Sequence, residues 1–198
     1  MLAFFGKQTL ELRPFSALGK EGQVTEMDDY ITAITASKDC QALLLNISMT
    51  KPRIELMSFS ENEWRKSVQK YEGHTQTSYI LKPQFGGFDE NLVICGSEDS
   101  HVLVWQRKSG EQLAKLKGHY QVVNAVSWSS TLNLAASASD DNAVKLWGSD
   151  AQQEKLQLSS VKPKVTRQFT TKFHEAYMGE SSDSDRSEPN LPAFNLED

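Results

Sequence analysis

Two stretches of this sequence, "GSEDSHVLVWQ" at residues 96–106 and "ASDDNAVKLWG" at residues 138–148, share one layout and lie 42 positions apart. In each stretch a Ser-acid-Asp element precedes a tryptophan: Asp99 precedes Trp105, and Asp141 precedes Trp147. A repeat at a fixed period outweighs the preferences of single segments, because each repeat is one structural unit that packs against the next. The spacing of this repeat therefore decides the fold.

Two Gly-His pairs, Gly73-His74 and Gly118-His119, mark the same repeat and lie 45 residues apart. Between these landmarks the chain has short apolar runs separated by polar turn residues, which is the pattern of short β-strands: "LVIC" at 92–95, "HVLVW" at 101–105 and "VVNAVSW" at 122–128. A period of this length, with Gly-His near its start and Trp at its end, is typical of a β-propeller in which each repeat forms a four-stranded blade.

The same residue types predict a hydrogen-bonded series inside each blade, here called the ladder. Buried polar groups are tolerated when all are satisfied, so a loop histidine, a strand hydroxyl, a turn aspartate and a strand tryptophan fix one blade geometry. The last unit has the full set: His119, Ser137, Asp141 and Trp147. The preceding unit has His74, Asp99 and Trp105, but Cys95 stands where the hydroxyl is expected, which predicts a weaker ladder.

An upstream unit has the same strand rhythm but a degenerate signature, because Met57 occupies the tryptophan position and no Gly-His pair precedes it. We therefore predict an all-β chain, a partial propeller of about three four-stranded blades at residues 28–72, 73–117 and 118–148. Residues 1–27 are predicted to be an N-terminal extension, with a remnant strand of a preceding blade as one interpretation. Three blades cannot close a ring, so we expect a truncated chain or one completed by another chain.

The charge of the chain is concentrated in its last residues. The net charge is −5, while residues 175–198 alone carry seven acids and one base, which leaves the remainder nearly neutral. Residues 149–198 are therefore predicted to be a disordered, acidic, serine-rich tail that cannot bury enough apolar area to fold. Ser182, with Asp185 three places on, is a candidate for acid-directed phosphorylation, and the alternative is a passive solubilising tail.

The composition excludes several classes of function. There is no basic face of the kind that phosphate backbones require, and no apolar run long enough to cross a membrane, so neither nucleic acid nor membrane is an expected partner. The start of the chain lacks the features of a secretory signal, and two cysteines are too few for a disulfide framework. We expect an intracellular protein, cytoplasmic or nuclear, with both cysteines reduced and structural.

Residues 28–148 resemble the C-terminal end of a WD-repeat protein. The resemblance is closest to the WD-repeat subunit of the GID/CTLH ubiquitin-ligase complex and rests on "FGG" at 85–87, "GSED" at 96–99, "VNAVSW" at 123–128, "ASASDD" at 136–141 and "LWG" at 146–148. It implies a non-catalytic interaction scaffold that acts in proteasome-dependent degradation. In that family a helical LisH and CTLH region precedes a full propeller, whereas this sequence predicts no helical region and about three blades. The alternative is a generic WD-repeat adaptor of another complex, for example in RNA processing or transport.

We predict no enzymatic activity, no cofactor and no metal. The histidines near Ser137 and Asp141 have spacing locked to the repeat, which places them inside blades, and no nucleophile elbow accompanies them. Loops held by a rigid scaffold are where binding usually occurs. The predicted partner-binding residues are therefore loop residues beside the ladder, with ordinary solvated loops as the alternative: Glu98, His101, Tyr120, Gln121, Asp140 and Asn142.

Overall fold

In the computed structural model, residues 2–5, 8–13, 22–48, 50–60 and 63–148 are described. Their regular structure is β-strand apart from a 3-10 turn, η1 (Phe88–Glu90). This confirms the all-β fold class that the repeat predicts. No helix in the described part of the chain is long and apolar enough to span a membrane.

The strands form four antiparallel sheets, each a meander of strands that are consecutive in the chain. Sheet I contains β1 (Leu2–Phe5), β2 (Thr9–Arg13) and β3 (Gln23–Glu26). Sheet II contains β4 (Ile31–Ala36), β5 (Ala42–Ile47), β6 (Arg53–Ser60) and β7 (Glu63–Tyr71). Sheet III contains β8 (Gln84–Gly86), β9 (Leu92–Gly96), β10 (His101–Gln106) and β11 (Gln112–Lys117). Sheet IV contains β12 (Val123–Ser129), β13 (Leu134–Ser139) and β14 (Val144–Trp147).

Apolar layers lie between successive sheets, because the inner strands are hydrophobic on both faces. In β5 every residue is buried, and its side chains alternate between two layers. Leu43 and Leu45 pack with Leu10 of sheet I, whereas Leu44 packs with Leu103 of sheet III. A third layer joins Ile94 and Leu92 of sheet III to residues of sheet IV such as Val126 and Trp147. Strands buried on both faces read as continuous apolar runs rather than alternating ones, which is the pattern of "ALLLNI".

Sheets III and IV also touch through their backbones. The Val123 N–H donates to the Ser97 carbonyl across the boundary at 3.1 Å. A Cβ at Gly96 would overlap the carbonyl oxygen of Val123, so only glycine allows this approach. The first residues of the chain hold more β-structure than the sequence pattern indicated, because residues 2–26 supply all three strands of sheet I.

The two cysteines have different surroundings. Cys95 is buried in β9, where burial raises the pKa of its thiol to about 12, while Cys40 is exposed in the β4–β5 turn. Cys40 therefore lies outside the packed layers, unlike the structural role expected for both cysteines. Ser182 and the predicted tail at 149–198 lie outside the described residues.

Candidate functional site

The predicted partner-binding residues lie at one end of the sheets, where the β5–β6, β7–β8, β9–β10, β11–β12 and β13–β14 connections meet. We call this end the turn face. Hydrogen bonds join neighbouring connections along it: the Ser48 hydroxyl donates to the Gln76 carbonyl at 3.2 Å, and the Thr77 N–H donates to the Glu98 carboxylate at 2.7 Å. The turn face is thus a continuous surface built from several sheets.

The ladder residues of sheet IV form one hydrogen-bonded series. The Trp147 indole N–H donates to the Ser137 hydroxyl at 2.8 Å, and the same oxygen lies 2.7 Å from Nε2 of His119. On the other side of the ring, Nδ1 of His119 lies 2.9 Å from the Asp141 carboxylate. The ionised carboxylate of Asp141 can only accept, so Nδ1 of His119 carries the proton that faces it. In the neutral ring Nε2 then accepts from the Ser137 hydroxyl, which itself accepts from Trp147.

The carboxylate of Asp141 also orders the adjacent turns. It accepts the Tyr120 N–H on one oxygen and the Ala143 N–H on the other, each at 3.0 Å. Burial opposes its ionisation, but the hydrogen bonds from His119 and from these two N–H groups hold the pKa of Asp141 at about 2. Hydrogen bonds to the charged form favour that form. The side chains of His119 and Asp141 are almost fully buried, so this arrangement secures a blade and leaves no open position for a substrate.

In sheet III the equivalent residues are not joined into such a series. The Trp105 indole N–H donates at 3.0 Å to the backbone carbonyl of Glu72 instead of to a hydroxyl. Asp99 pairs with Lys115 at 2.6 Å, and neither ring nitrogen of the buried His74 has a hydrogen-bond partner of normal geometry among the described residues. Burial lowers the pKa of His74 to about 4, and the nearby Gln76 and Asp99 side chains oppose this only in part.

Cys95 accounts for this difference, because it occupies the position in β9 that Ser137 occupies in β13, four residues before the turn aspartate. A thiol is a weak donor and acceptor. The rings of both pairs meet edge to face with centroids 6.2 Å apart, so what sheet III lacks is the hydroxyl that joins the indole to the imidazole in sheet IV.

The predicted partner-binding residues fall into two groups. Tyr120 is 86% exposed, and its ring lies 5.6 Å from Nζ of the buried Lys145. Gln121, Asp140 and Asn142 are also exposed on the same part of the turn face. These four side chains are open to a partner.

Glu98 and His101 are engaged within the chain. The carboxylate of Glu98 accepts three backbone N–H groups of the β7–β8 connection, those of Thr77, Ser78 and Tyr79. His101 is half-buried, with Nδ1 2.7 Å from the carbonyl oxygen of Asp99. Both side chains shape the turn face through contacts within the chain. The sequence pattern predicted instead that they contact a partner.

The sequence pattern did not reveal a charge cluster around the buried Arg53 at the start of β6, an inner strand of sheet II. The Arg53 guanidinium donates to Glu55 at 2.7 Å and to Asp28 at 2.6 Å, and it lies 3.7 Å from Asp29. Burial opposes the charge of Arg53, but Glu55, Asp28 and Asp29 raise its pKa. The sequence feature that could have indicated this cluster is the pair Arg53 and Glu55, which lie two residues apart on one face of an otherwise apolar strand. Its role is structural, because the cluster anchors the start of β6.

Metal ligation has no support in the described part of the chain. No group of three or more His, Cys, Asp or Glu side chains comes close enough there to hold an ion.

Meandering sheets stacked through apolar layers, with the Trp-Ser-His-Asp series of sheet IV, define a class of protein, the WD-repeat proteins. The family described as WD domain, G-beta repeat matches residues 65–106 and 110–148. Each matched stretch begins in or just before the outer strand of one sheet and ends in the third strand of the next, so a repeat in the sequence joins two sheets. Residues 65–106 and 110–148 are thus WD repeats.

Among characterised proteins, the chain is similar to WD-repeat subunits and homologues. It is 37% identical over 129 residues to the WD repeat-containing protein 26 homolog of Arabidopsis thaliana, covering 65% of this chain and 21% of that protein. It is 37% identical over 119 residues to GID complex subunit 7 of Schizosaccharomyces pombe, covering 59% of this chain and 22% of that protein. It is 34% identical over 139 residues to the WD repeat-containing protein WDS homolog of Arabidopsis thaliana, covering 70% and 26%. The chain thus spans about a quarter or less of the length of these relatives.

Proposed function

We propose that this chain is a non-catalytic scaffold, a WD-repeat component of a GID/CTLH-like ubiquitin-ligase complex that acts in proteasome-dependent protein degradation. The observation that carries the proposal is the 37% identity to GID complex subunit 7 over 119 residues. The described ladder residues support a structural rather than a catalytic role, because the His119, Ser137 and Asp141 side chains are buried and paired with one another.

The interaction surface of the scaffold is proposed to be the turn face, and the exposed residues Tyr120, Gln121, Asp140 and Asn142 belong to it. Tyrosine is enriched at the centres of protein interfaces, since it supplies a large contact area at low entropic cost. The backbone at Tyr120 is fixed by its hydrogen bond to Asp141, so the ring is presented from a rigid position. Partners of this face are proposed to be proteins, and the cell compartment is proposed to be cytoplasmic or nuclear.

A segment exchange tests this function. The matched segment of the fission-yeast GID complex subunit 7 is replaced by the blade residues of this chain, and both co-purification with the complex and turnover of a GID-dependent substrate are measured. The control exchange uses the corresponding segment of the WD repeat domain-containing protein 83 homolog of Dictyostelium discoideum, which is 26% identical to this chain over 117 residues.

We expect the chimaera with this chain to support substrate turnover and the control chimaera to fail. Equal turnover by both chimaeras, or loss of turnover by a stably folded chimaera of this chain, would contradict the proposal. Either outcome would favour an adaptor role in another complex.

A further inference from the structure

An apolar pair is exposed on the turn face between sheets II and III. Tyr79 is 46% exposed and Ile80 is 71% exposed, and they are neighbours in the β7–β8 connection. The next residue, Leu81, is fully buried, so the chain returns to the core directly after presenting this pair. A single exposed apolar residue is ordinary. Two adjacent ones are of interest as a binding surface here, because hydrogen bonds fix the backbone that presents them.

The carboxylate of Glu98 holds this loop from sheet III. One of its oxygens accepts the N–H groups of Thr77, Ser78 and Tyr79 at 2.7–2.8 Å, and the other accepts the Thr77 hydroxyl at 2.5 Å. Burial alone would raise the pKa of Glu98, but these four hydrogen bonds lower it to about 2. Hydrogen bonds to a charged acceptor are roughly twice as strong as neutral ones, so the loop has one backbone conformation.

Two buried amides hold the same loop from below, Asn46 of β5 in sheet II and Gln76 of the loop itself. The Gln76 side chain donates to the Tyr79 carbonyl at 2.8 Å and accepts from the Asn46 side chain at 2.7 Å. Asn46 also donates to the Leu81 carbonyl at 2.5 Å. Gln76 and Asn46 are nearly inaccessible to solvent, so the carbonyls on both sides of Ile80 are fixed by groups that solvent does not compete for.

A cleft of about 470 Å³ adjoins the base of this loop, between the β5–β6 and β7–β8 connections. It is lined by hydroxyl, amide and ring groups without a carboxylate or an ammonium group: Ser48, Thr50, Pro52, His74, Thr75, Gln76 and Thr77. His74 contributes no charge at neutral pH, because burial lowers the pKa of its ring to about 4. The volume is in the lower part of the range of clefts that bind ligands.

The exposed charges beside the loop differ in their partners. Lys51 is paired with Glu72 at 2.7 Å, whereas Lys82, which follows Leu81, is exposed and has no ion pair among the described residues. Glu98 keeps its negative charge, but both of its carboxylate oxygens accept hydrogen bonds from the loop. An incoming chain therefore meets apolar surface, hydroxyl groups and an exposed ammonium group, which complement an apolar side chain next to a carboxylate.

We propose that Tyr79, Ile80 and Lys82, together with the adjoining cleft, form a docking site for an extended segment of a partner protein that carries an apolar side chain next to an aspartate or glutamate. This inference rests on the proposed scaffold function and gives that function a recognition element. A loop already fixed in its binding conformation loses little entropy on association, which is the advantage of the hydrogen bonds from Glu98, Gln76 and Asn46.

The test uses the complete 198-residue chain as bait for a displayed library of random peptides of roughly twelve residues, the length of an extended recognition segment. Peptides that are selected are synthesised with a fluorophore, and their dissociation constants are measured by anisotropy. The variants are Ile80→Ser and Lys82→Glu. The control is Phe88→Ser, because Phe88 is 70% exposed at the opposite end of sheet III.

We expect selected peptides to pair an apolar residue with an acidic one, and Ile80→Ser to weaken binding about tenfold, as removal of an interface anchor does. Lys82→Glu should weaken binding to the same peptides, and Phe88→Ser should leave it unchanged. Selection of lysine-rich peptides, equal binding by the wild type and Ile80→Ser, or selection of no peptide that distinguishes the two would overturn the proposal. These measurements use the purified chain alone, so failure of the segment exchange leaves their outcome unaffected.

Discussion

Replacement of Ser137 by alanine tests the ladder of sheet IV directly, because one oxygen joins two buried partners. The variant removes the bond from the Trp147 indole at 2.8 Å and the bond to the His119 ring at 2.7 Å. Both partners are inaccessible to water, and a buried polar group left without a partner costs about 1–3 kcal/mol. We therefore expect Ser137→Ala to lower the free energy of unfolding by about 2–6 kcal/mol.

Two further variants calibrate this measurement. Trp147→Phe replaces the buried indole with a smaller ring and leaves the contact between Ser137 and His119 in place. The lost indole N–H bond should cost about 1–3 kcal/mol, and the cavity left by the smaller ring adds to that cost. Ser127→Ala changes an exposed hydroxyl on β12 of the same sheet and should stay within about 0.5 kcal/mol of the wild type. Urea unfolding followed by far-UV circular dichroism gives each free energy when the denaturant slope is unchanged. Coincident unfolding midpoints for Ser137→Ala and Ser127→Ala would refute the ladder as a source of stability.

Three other substitutions have defined outcomes. Gly96→Ala should destabilise the chain more than Gly86→Ala. At position 96 the new Cβ would overlap a backbone carbonyl, whereas at position 86 it would lie 3.0 Å from the Trp128 ring. Equal unfolding midpoints for the two variants would contradict this. The pKa of Asp141 is about 2, below its usual 3.8, so its stabilising effect is complete above about pH 4 and is lost as the pH falls towards 2. Asp141→Asn should therefore reduce the loss of unfolding free energy between about pH 4 and about pH 2. An unchanged slope of unfolding free energy against pH in this range would contradict the role assigned to Asp141. Cys95→Ser supplies the missing hydroxyl beside His74, so it should lower the free energy of unfolding by less than about 1 kcal/mol. A buried hydroxyl without a partner would lower it by about 1–3 kcal/mol, and denaturant titration distinguishes the two results.

The sequence predicted the fold where local residue types report a repeated geometry. The spacing from Asp99 to Trp105 recurs from Asp141 to Trp147, and each element falls at the corresponding turn and strand of sheets III and IV. The absence of a hydroxyl at Cys95 was visible in the same way. Such features are predictable because a blade places each group at a fixed distance along the chain from the next.

The docking loop could not be predicted, because its supports are distant in the chain. Glu98 sits in a turn of polar residues, where a carboxylate is normally solvated, and its acceptors are used by N–H groups 19–21 residues upstream. Asn46 reaches Leu81 across 35 residues. No periodicity encodes such contacts, since they depend on how two sheets are placed side by side. The number of strands in sheet I was underestimated for a different reason. Its strands have only 4–5 residues each, which is too short to show a clear alternation of apolar and polar residues.

The alternation of β5 between two apolar layers has a consequence for how substitutions combine. Leu44 and Leu45 are adjacent in the chain, yet Leu44 shares a layer with Leu103 and Leu45 shares a layer with Leu10. Energetic coupling in a double-mutant cycle requires shared packing, so we expect truncations of Leu44 and Leu45 to add and those of Leu44 and Leu103 to interact. Covariation within such a chain should therefore connect positions on neighbouring sheets rather than immediate neighbours in the chain.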